Sequence, residues 1–436
     1  MMRKTKILIT IGPSLENYET LKKALEMVEG VRFNISHSSY RWHKKMLKMV
    51  REIEKEIKKP ITVVGDTRGF EIRVKIKKPI IVKRGHLINP HELGIPTSVI
   101  KKIKIGQNVL MEEGKVKGVI VKNKKIKVLC DGILHPNKKL VFPGLALSKK
   151  FINEQDKKDF KFFAKNDFDV IALSFVKTKR DVEEVKRFFE KINYNPKIVS
   201  KIEHKTAVKN LEDIVKVSDG IMVARGDLAL ETSFEHVPII QQKCTMLARK
   251  YNRLVIVATQ MLESMKTSPY PSRAEVNDIA NTVLQGADCL MLSDETAVGE
   301  YPLEAITAMV KIIKKVERLI ESKCYLNLKD RKNLLAKAAI ELGKKLKLPI
   351  VAPTMHGTTP SKLSSMRPSK VIYALTPVQK TYKFLNLYFG VFPILYNYEP
   401  LVEKRDQIKK LLKVEKCIFV FGYPPGNKDT NVIMIG

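Results

Sequence analysis

The sequence predicts a (β/α)8 barrel of the TIM type, with a small all-β domain inserted after its third strand and a separate α/β domain behind it. Three observations carry this. Eight short runs rich in β-branched residues recur as far as Glu295. Helical periodicity fills all but one of the intervals between them, the order expected of parallel strands joined by helices. The exceptional interval, about a hundred residues between the third and fourth runs, changes to short alternating stretches punctuated by glycine.

The eight runs are KILITIGP (6–13), VRFNISH (31–37), ITVVGDTRG (61–69), VIALSF (170–175), KIVSKIE (197–203), GIMVARGD (220–227), LVIVATQ (254–260) and DCLMLSDE (288–295). ETLKKALEMVEG and AEVNDIANTVLQGAD read as helices, the second introduced by Ser272 with Glu275 three residues on, a capping-box signal. The interruption contains RVKIKKPIIVKRG, IGQNVLMEEG and KGVIVKNKKIKVLCDG. It reads as an all-β insertion at the carboxyl ends of the strands, placed to act as a lid. The expected division is 1–73 and 144–320 for the barrel, 74–143 for the lid and 321–436 for the carboxyl-terminal domain. That last domain shows a helix in KNLLAKAAIELGKKL, a strand in LPIVAPT, a loop MHGTTPSK, strands in KVIYALTP and GVFPILYN, a helix in VEKRDQIKKLLKV and a last strand in KCIFVFGYPPG.

Composition narrows the class. The chain has 436 residues, 44% hydrophobic and 29% charged. No apolar run is long enough to cross a bilayer, and the apolar stretch before Gly12-Pro13 is too short for a secretory signal, so a cytoplasmic protein is expected. The five cysteines are scattered, without a C-x-x-C pair, which suggests neither a disulfide framework nor a zinc site. A net charge of +34 invites a nucleic-acid reading, but lysines are interleaved with carboxylates in nearly every helix, as in RDVEEVKRFFEKI. No recognised nucleic-acid motif appears, whereas anionic small substrates fit the charge.

All eight runs end in polar residues. In IVSKIE the alternation of side chains puts Lys201 and Glu203 on one face, which taken alone is compatible with a simple ion pair. Arg32, Asn34 and Ser36 likewise share a face; Asp66 and Thr67, Ser174, Asp227, Thr259, and Ser293 with Glu295 end the other strands. Glu203 and Asp227 on adjacent strands suit a hard divalent cation, Mg²⁺ or Mn²⁺. ARGD at a helix entrance offers the backbone N–H groups of Gly226 and Asp227 to an anion.

TKILITIGPS, RFNISH, GDTRGFEIR, SKIE, DGIMVARGDL, ATQMLESM, SRAEVNDIANTVLQGAD and MLSDETAVGEYPLEA, in this order over nearly the whole chain, resemble the pyruvate kinase family. The resemblance implies phosphoryl transfer from phosphoenolpyruvate to ADP, followed by protonation of enolpyruvate. Glu203 and Asp227 would hold Mg²⁺, and Lys201 would neutralise the phosphoryl group in flight. Gly226, Asp227 and Thr259 would seat the substrate carboxylate, with Ser174 nearby and Thr259 close to the protonated face. Arg32 would clamp the phosphate. Pro13, Asn34, His37, Arg73 and Lys139 would meet the nucleotide, while Asn34, Ser36, Asp66 and Thr67 would hold K⁺. A homotetramer is implied, as is a phosphorylated effector at TMHGTTPSK, through Gly357 and the hydroxyls of Thr354, Thr358, Thr359 and Ser361, with GYPPGNKDTN as a second loop. The chain departs from the family pattern at Phe70, Asp294 and Glu112-Glu113, and the match at Lys139 slips by one residue. Glu71 stands where a lysine often serves as internal cation in members that dispense with K⁺.

Two rivals remain at this point: a Schiff-base aldolase using Lys201, which adjacent Glu203 opposes by favouring the ammonium form, and a nucleic-acid-binding barrel relying on charge.

Overall fold

A computed structural model describes residues 2–69, 71–145, 151–321, 324–397, 401–422 and 430–436. Eight parallel strands form a closed barrel: β1 (Lys6–Thr10), β2 (Gly30–Asn34), β3 (Thr62–Asp66), β4 (Val170–Leu173), β5 (Lys197–Ile202), β6 (Gly220–Ala224), β7 (Leu254–Ala258) and β8 (Cys289–Leu292). Each strand pairs with its sequence neighbours, and β1 closes the ring on β8 with Lys6 opposite Cys289. All eight expected strands are present; Ser174, Glu203, Asp227, Thr259 and Ser293 follow their strands, whereas Arg32, Asn34, Asp66 and Lys201 lie within theirs.

Period-two alternation divides the apolar side chains between two cores. Leu8, Val64, Ala172, Val199, Met222 and Ile256 pack together in one. Their strand neighbours, such as Ile9, Val63, Ile171, Ile198 and Ile221, pack against the surrounding helices. Several of those helices start where side chains satisfy their first N–H groups. The capping box is formed at Ser272 with Glu275, and others occur at Asn153 with Asp156 and at Thr178 with Asp181.

Between β3 and β4 lies a four-stranded antiparallel sheet of Leu87–Ile88, Ile126–Val128, Val116–Ile120 and Asn108–Met111, with its own apolar core. Ile72–Arg73 and Lys139–Leu140 pair antiparallel where the chain leaves and re-enters the barrel. Phe70, the departure noted in GDTRGFEIR, lies outside the described residues.

The carboxyl-terminal sheet has five strands in the order Val391–Leu395, Ile372–Thr376, Ile350–Pro353, Ile418–Phe421 and Val432–Ile435. Ile418–Phe421 is therefore not the last strand. Val432–Ile435 adds an antiparallel edge that the sequence reading missed, because a four-residue apolar run at a chain end carries little periodicity. The expected loop MHGTTPSK is shorter than read, since a helix begins at Thr358 with Gly357 at φ +84° as its N-cap.

This domain packs against the amino-terminal ends of the barrel strands. Lys6 Nζ donates to the Val391 carbonyl at 2.7 Å, the Thr62 hydroxyl to the Lys383 carbonyl at 2.6 Å, and Arg367 pairs with Asp288 at 2.9 Å. The opposite, carboxyl end is left to the inserted sheet. No helix among the described residues is long and apolar enough to cross a membrane.

Candidate active site

The charged residues at the carboxyl end of the barrel converge. Lys201 continues the inward face that Val199 occupies below it, and its ammonium donates to Asp66 Oδ1 at 3.1 Å and Ser174 Oγ at 2.9 Å. Glu203 Oε2 lies 3.5 Å away. The second oxygen of Asp66 accepts from Arg32 Nε at 2.7 Å and sits 2.6 Å from Arg32 Nη2, while Arg32 Nη1 reaches the Thr10 hydroxyl at 3.3 Å. The Ser174 hydroxyl donates to the Thr67 carbonyl at 2.6 Å, and the Ser174 backbone N–H donates to the Thr67 hydroxyl at 2.9 Å.

These contacts fix the protonation states. Burial alone would lower the Lys201 pKa, but Asp66 and Glu203 override it and the net shift is upward, so the side chain is an ammonium. Burial works against the Asp66 carboxylate, yet Lys201 and Arg32 hold its pKa below the ordinary value. An ammonium held by Asp66 and Glu203 is a poor amine nucleophile, which counts against the Schiff-base reading.

Glu203 is fully buried. Its Oε1 accepts from the Phe175 N–H at 2.7 Å, whereas Oε2 has no hydrogen-bond partner among the described residues. Burial pushes its pKa up from 4.5 to about 7, Lys201 opposes this, and Asp227 adds to it. A buried carboxylate oxygen without a donor fits a cation ligand. Asp227, in the first turn of the helix Arg225–Thr232, stands near enough to act on Glu203 electrostatically. No group of three or more His, Cys, Asp or Glu side chains converges among the described residues. Two carboxylates suit a magnesium-type ion that keeps substrate and water oxygens in its remaining positions.

Thr259 and Gln260 adopt φ of +68° and +53°, costly for a β-branched threonine. Arg225 sustains this turn. Its Nη2 donates to the Thr259 carbonyl at 2.8 Å and the Gln260 carbonyl at 2.7 Å, and its Nη1 is held by Asp278 at 2.7 Å. The turn aims the Thr259 hydroxyl at the helix start, where it accepts the Gly226 N–H at 2.9 Å. The expectation that Gly226 offers this N–H to an anion is therefore corrected: the threonine already uses it. A Cβ at Gly226 would meet only the Thr259 side chain, its Oγ1 at 3.6 Å and its Cβ at 4.0 Å, so packing does not demand glycine. The sequence reading missed Arg225 as a positioning residue, although it stood in ARGD.

The other expected residues form the rim. His37 lies at the rim, where partial desolvation of the ring and then Arg73 and Arg32 lower its pKa. Arg73 pairs with Glu71 at 2.6 Å. Lys139, the doubtful match, points inward to Asp227 at 2.6 Å and Glu71 at 3.2 Å, whereas Lys138 turns out to Glu113. Pro13 opens a turn after β1. Asn34 lies opposite Asp66 in the β2–β3 register, its Oδ1 accepting from the Ser36 N–H at 3.2 Å. Both oxygens of Asp66 already serve cations.

At the carboxyl-terminal loop, the Thr354 hydroxyl accepts from the Gly357 N–H at 2.8 Å and Ser361 donates to the Thr358 carbonyl at 2.9 Å, so both act within the helix start. Thr359 bonds Thr430 at 2.7 Å and Thr358 is exposed. Residues 423–429 of the second loop lie outside the described residues.

Comparison with known proteins agrees with this fold. The family model for the pyruvate kinase barrel domain matches residues 2–306, and that for the pyruvate kinase alpha/beta domain matches 333–435. The pyruvate kinase of Methanocaldococcus jannaschii is 38% identical, covering 100% of this chain and 99% of its own length. That of Thermotoga maritima is 35% identical over 94% of this chain and 92% of its own. The crystal structure of pyruvate kinase from Pyrobaculum aerophilum superposes with a TM-score of 0.89 at 29% identity, covering 100% of this chain and 99% of that one.

Proposed function

The chain belongs to the pyruvate kinase family, and on that premise we propose that it transfers the phosphoryl group of phosphoenolpyruvate to ADP in glycolysis, at the carboxyl end of the barrel, with a divalent cation and stimulation by K⁺. The observation that carries the site assignment is Lys201, an ammonium held beside a fully buried Glu203 whose Oε2 has no hydrogen-bond partner among the described residues.

Glu203 and Asp227 would hold Mg²⁺ or Mn²⁺, which when bound supplies charge neutralisation to the phosphate oxygens. Lys201 does the same from the protein side, and because Asp66, Ser174 and Glu203 hold it before substrate arrives, little reorganisation is needed in the transition state. Arg32, fixed by Asp66 and Thr10, binds the phosphate. Thr259 Oγ1 accepts from Gly226, so its own proton is free to point at substrate. We assign it to the carboxylate subsite shared with Asp227 and to the face where enolpyruvate is protonated at its methylene carbon. Pro13, Asn34, His37, Arg73 and Lys139 border the nucleotide, and Asn34, Ser36, Asp66 and Thr67 supply oxygens for K⁺.

We extend the reading to a cytoplasmic homotetramer, a division at 73/74, 143/144 and 320/321, and a phosphorylated effector near Thr358. A coupled assay of ADP-dependent pyruvate formation from phosphoenolpyruvate, with and without Mg²⁺, tests the core of it. Metal-dependent turnover is expected; its absence in folded protein overturns the assignment.

A further inference from the structure

Lys139 stands at the junction of the inserted domain and the barrel, in the strand that pairs with Ile72–Arg73. Its ammonium lies 2.6 Å from Asp227 Oδ1, 3.2 Å from Glu71 Oε1 and 4.6 Å from the centroid of the Phe175 ring. The helix that carries Asp227 also holds the segment that follows this strand, because Glu231 accepts the Gly144 N–H at 3.0 Å. Between these groups is a cavity of about 30 Å³ lined by Glu71, Lys139, Phe175, Asp227 and Glu231. That is room for about one water molecule, too little for a hydrated divalent ion.

An ammonium at contact distance from Asp227 Oδ1 occupies the place a metal ion needs at that oxygen, and two cations so close repel each other. We infer that Lys139 is the resident counter-cation of Asp227, pinning the inserted domain to the barrel until a divalent cation displaces it, so that metal entry and lid release are one event. The inference rests on the reading of Asp227 as a metal ligand. It goes beyond a nucleotide contact for Lys139, because it assigns the side chain a role before any nucleotide binds. Linkage makes the coupling reciprocal: whatever holds the lid closed through Lys139 weakens the metal, and the metal loosens the lid.

The test is Mn²⁺ binding followed by electron paramagnetic resonance, without substrates, on the full chain and its variants. Lys139→Met is expected to bind Mn²⁺ about fivefold tighter, the effect of losing one partly exposed ion-pair competitor. Lys138→Met removes the same charge one residue away and is expected to bind like the parent, as is Lys139→Arg, which keeps both charge and reach. Asp227→Asn is expected to bind more weakly. Hydrogen exchange at residues 140–145 gives a second readout. Mn²⁺ is expected to speed it in the parent, while Lys139→Met exchanges fast without metal and gains nothing from it.

Equal affinity in Lys139→Met and the parent, with Asp227→Asn weakened, overturns the latch and leaves the metal site standing. An equal gain in Lys138→Met reduces the effect to general charge and also overturns it. Unchanged affinity in Asp227→Asn removes the metal-ligand reading on which it rests.

Discussion

Lys201 and Asp66, 135 residues apart in sequence, meet at 3.1 Å by reaching across the intervening strand β4, whose end supplies Ser174 between them. The ammonium is thus built into the barrel mouth before any substrate arrives.

Replacing Lys201 by methionine is expected to lower kcat by on the order of 10²–10³, the range for removing one preorganised charge from a developing anion. Mn²⁺ affinity should survive, since Glu203 and Asp227 remain. Steady-state kinetics beside Mn²⁺ titration checks this, and preserved turnover contradicts the assigned role. Treatment with pyruvate and borohydride should leave Lys201 unmodified.

Metal affinity should depend on pH through Glu203, whose pKa burial raises from 4.5 to about 7. Below about pH 7 the carboxyl group holds a proton that the metal must displace, so affinity is expected to fall about tenfold per pH unit on acidification and to level off above that value. The same upward shift means that Glu203 takes up a proton on folding. Its contribution to metal-free stability is therefore greatest below the unfolded value and is lost as pH rises through about 7. Mn²⁺ titrations across this window check the first statement, and a flat profile contradicts it.

Turnover is expected to be higher in potassium than in sodium buffer at equal ionic strength, through the oxygens of Asn34, Ser36, Asp66 and Thr67. Glu71 is acidic and paired with Arg73 and Lys139, so it supplies no internal cation itself. Equal rates in the two buffers reject the K⁺ site.

A phosphorylated effector near Thr358 should lower the half-saturating phosphoenolpyruvate concentration, and Thr358→Glu should abolish that shift by placing like charge against the phosphate. A panel of sugar phosphates and AMP that moves nothing in the parent protein rejects the site.

Arg367, 2% exposed, pairs with the equally buried Asp288 beneath the barrel. Arg367→Met leaves that carboxylate only the Val255 and Phe389 N–H groups, at a cost of at most about 3–5 kcal/mol, and the thermal midpoint should drop accordingly. An unchanged midpoint shows that the pair does not join the carboxyl-terminal domain to the barrel.

The sequence by itself determined the barrel, because eight β-branched runs alternating with helices admit few other packings, and it determined the sidedness of Lys201 and Glu203, which follows from a two-residue period. It also brought out the polar strand ends that become the mouth. It left the short edge strand Val432–Ile435 unread, since four apolar residues have no period to detect. Which charges touch was decided only by the tertiary structure. Closure of the barrel sets Asp66 against Lys201, the strained turn at Thr259 takes up the Gly226 N–H, and one residue of alternation in the strand Lys139–Leu140 sends Lys139 rather than Lys138 to Asp227. Such contacts depend on register and ring closure between distant segments, and no local pattern of residues encodes them.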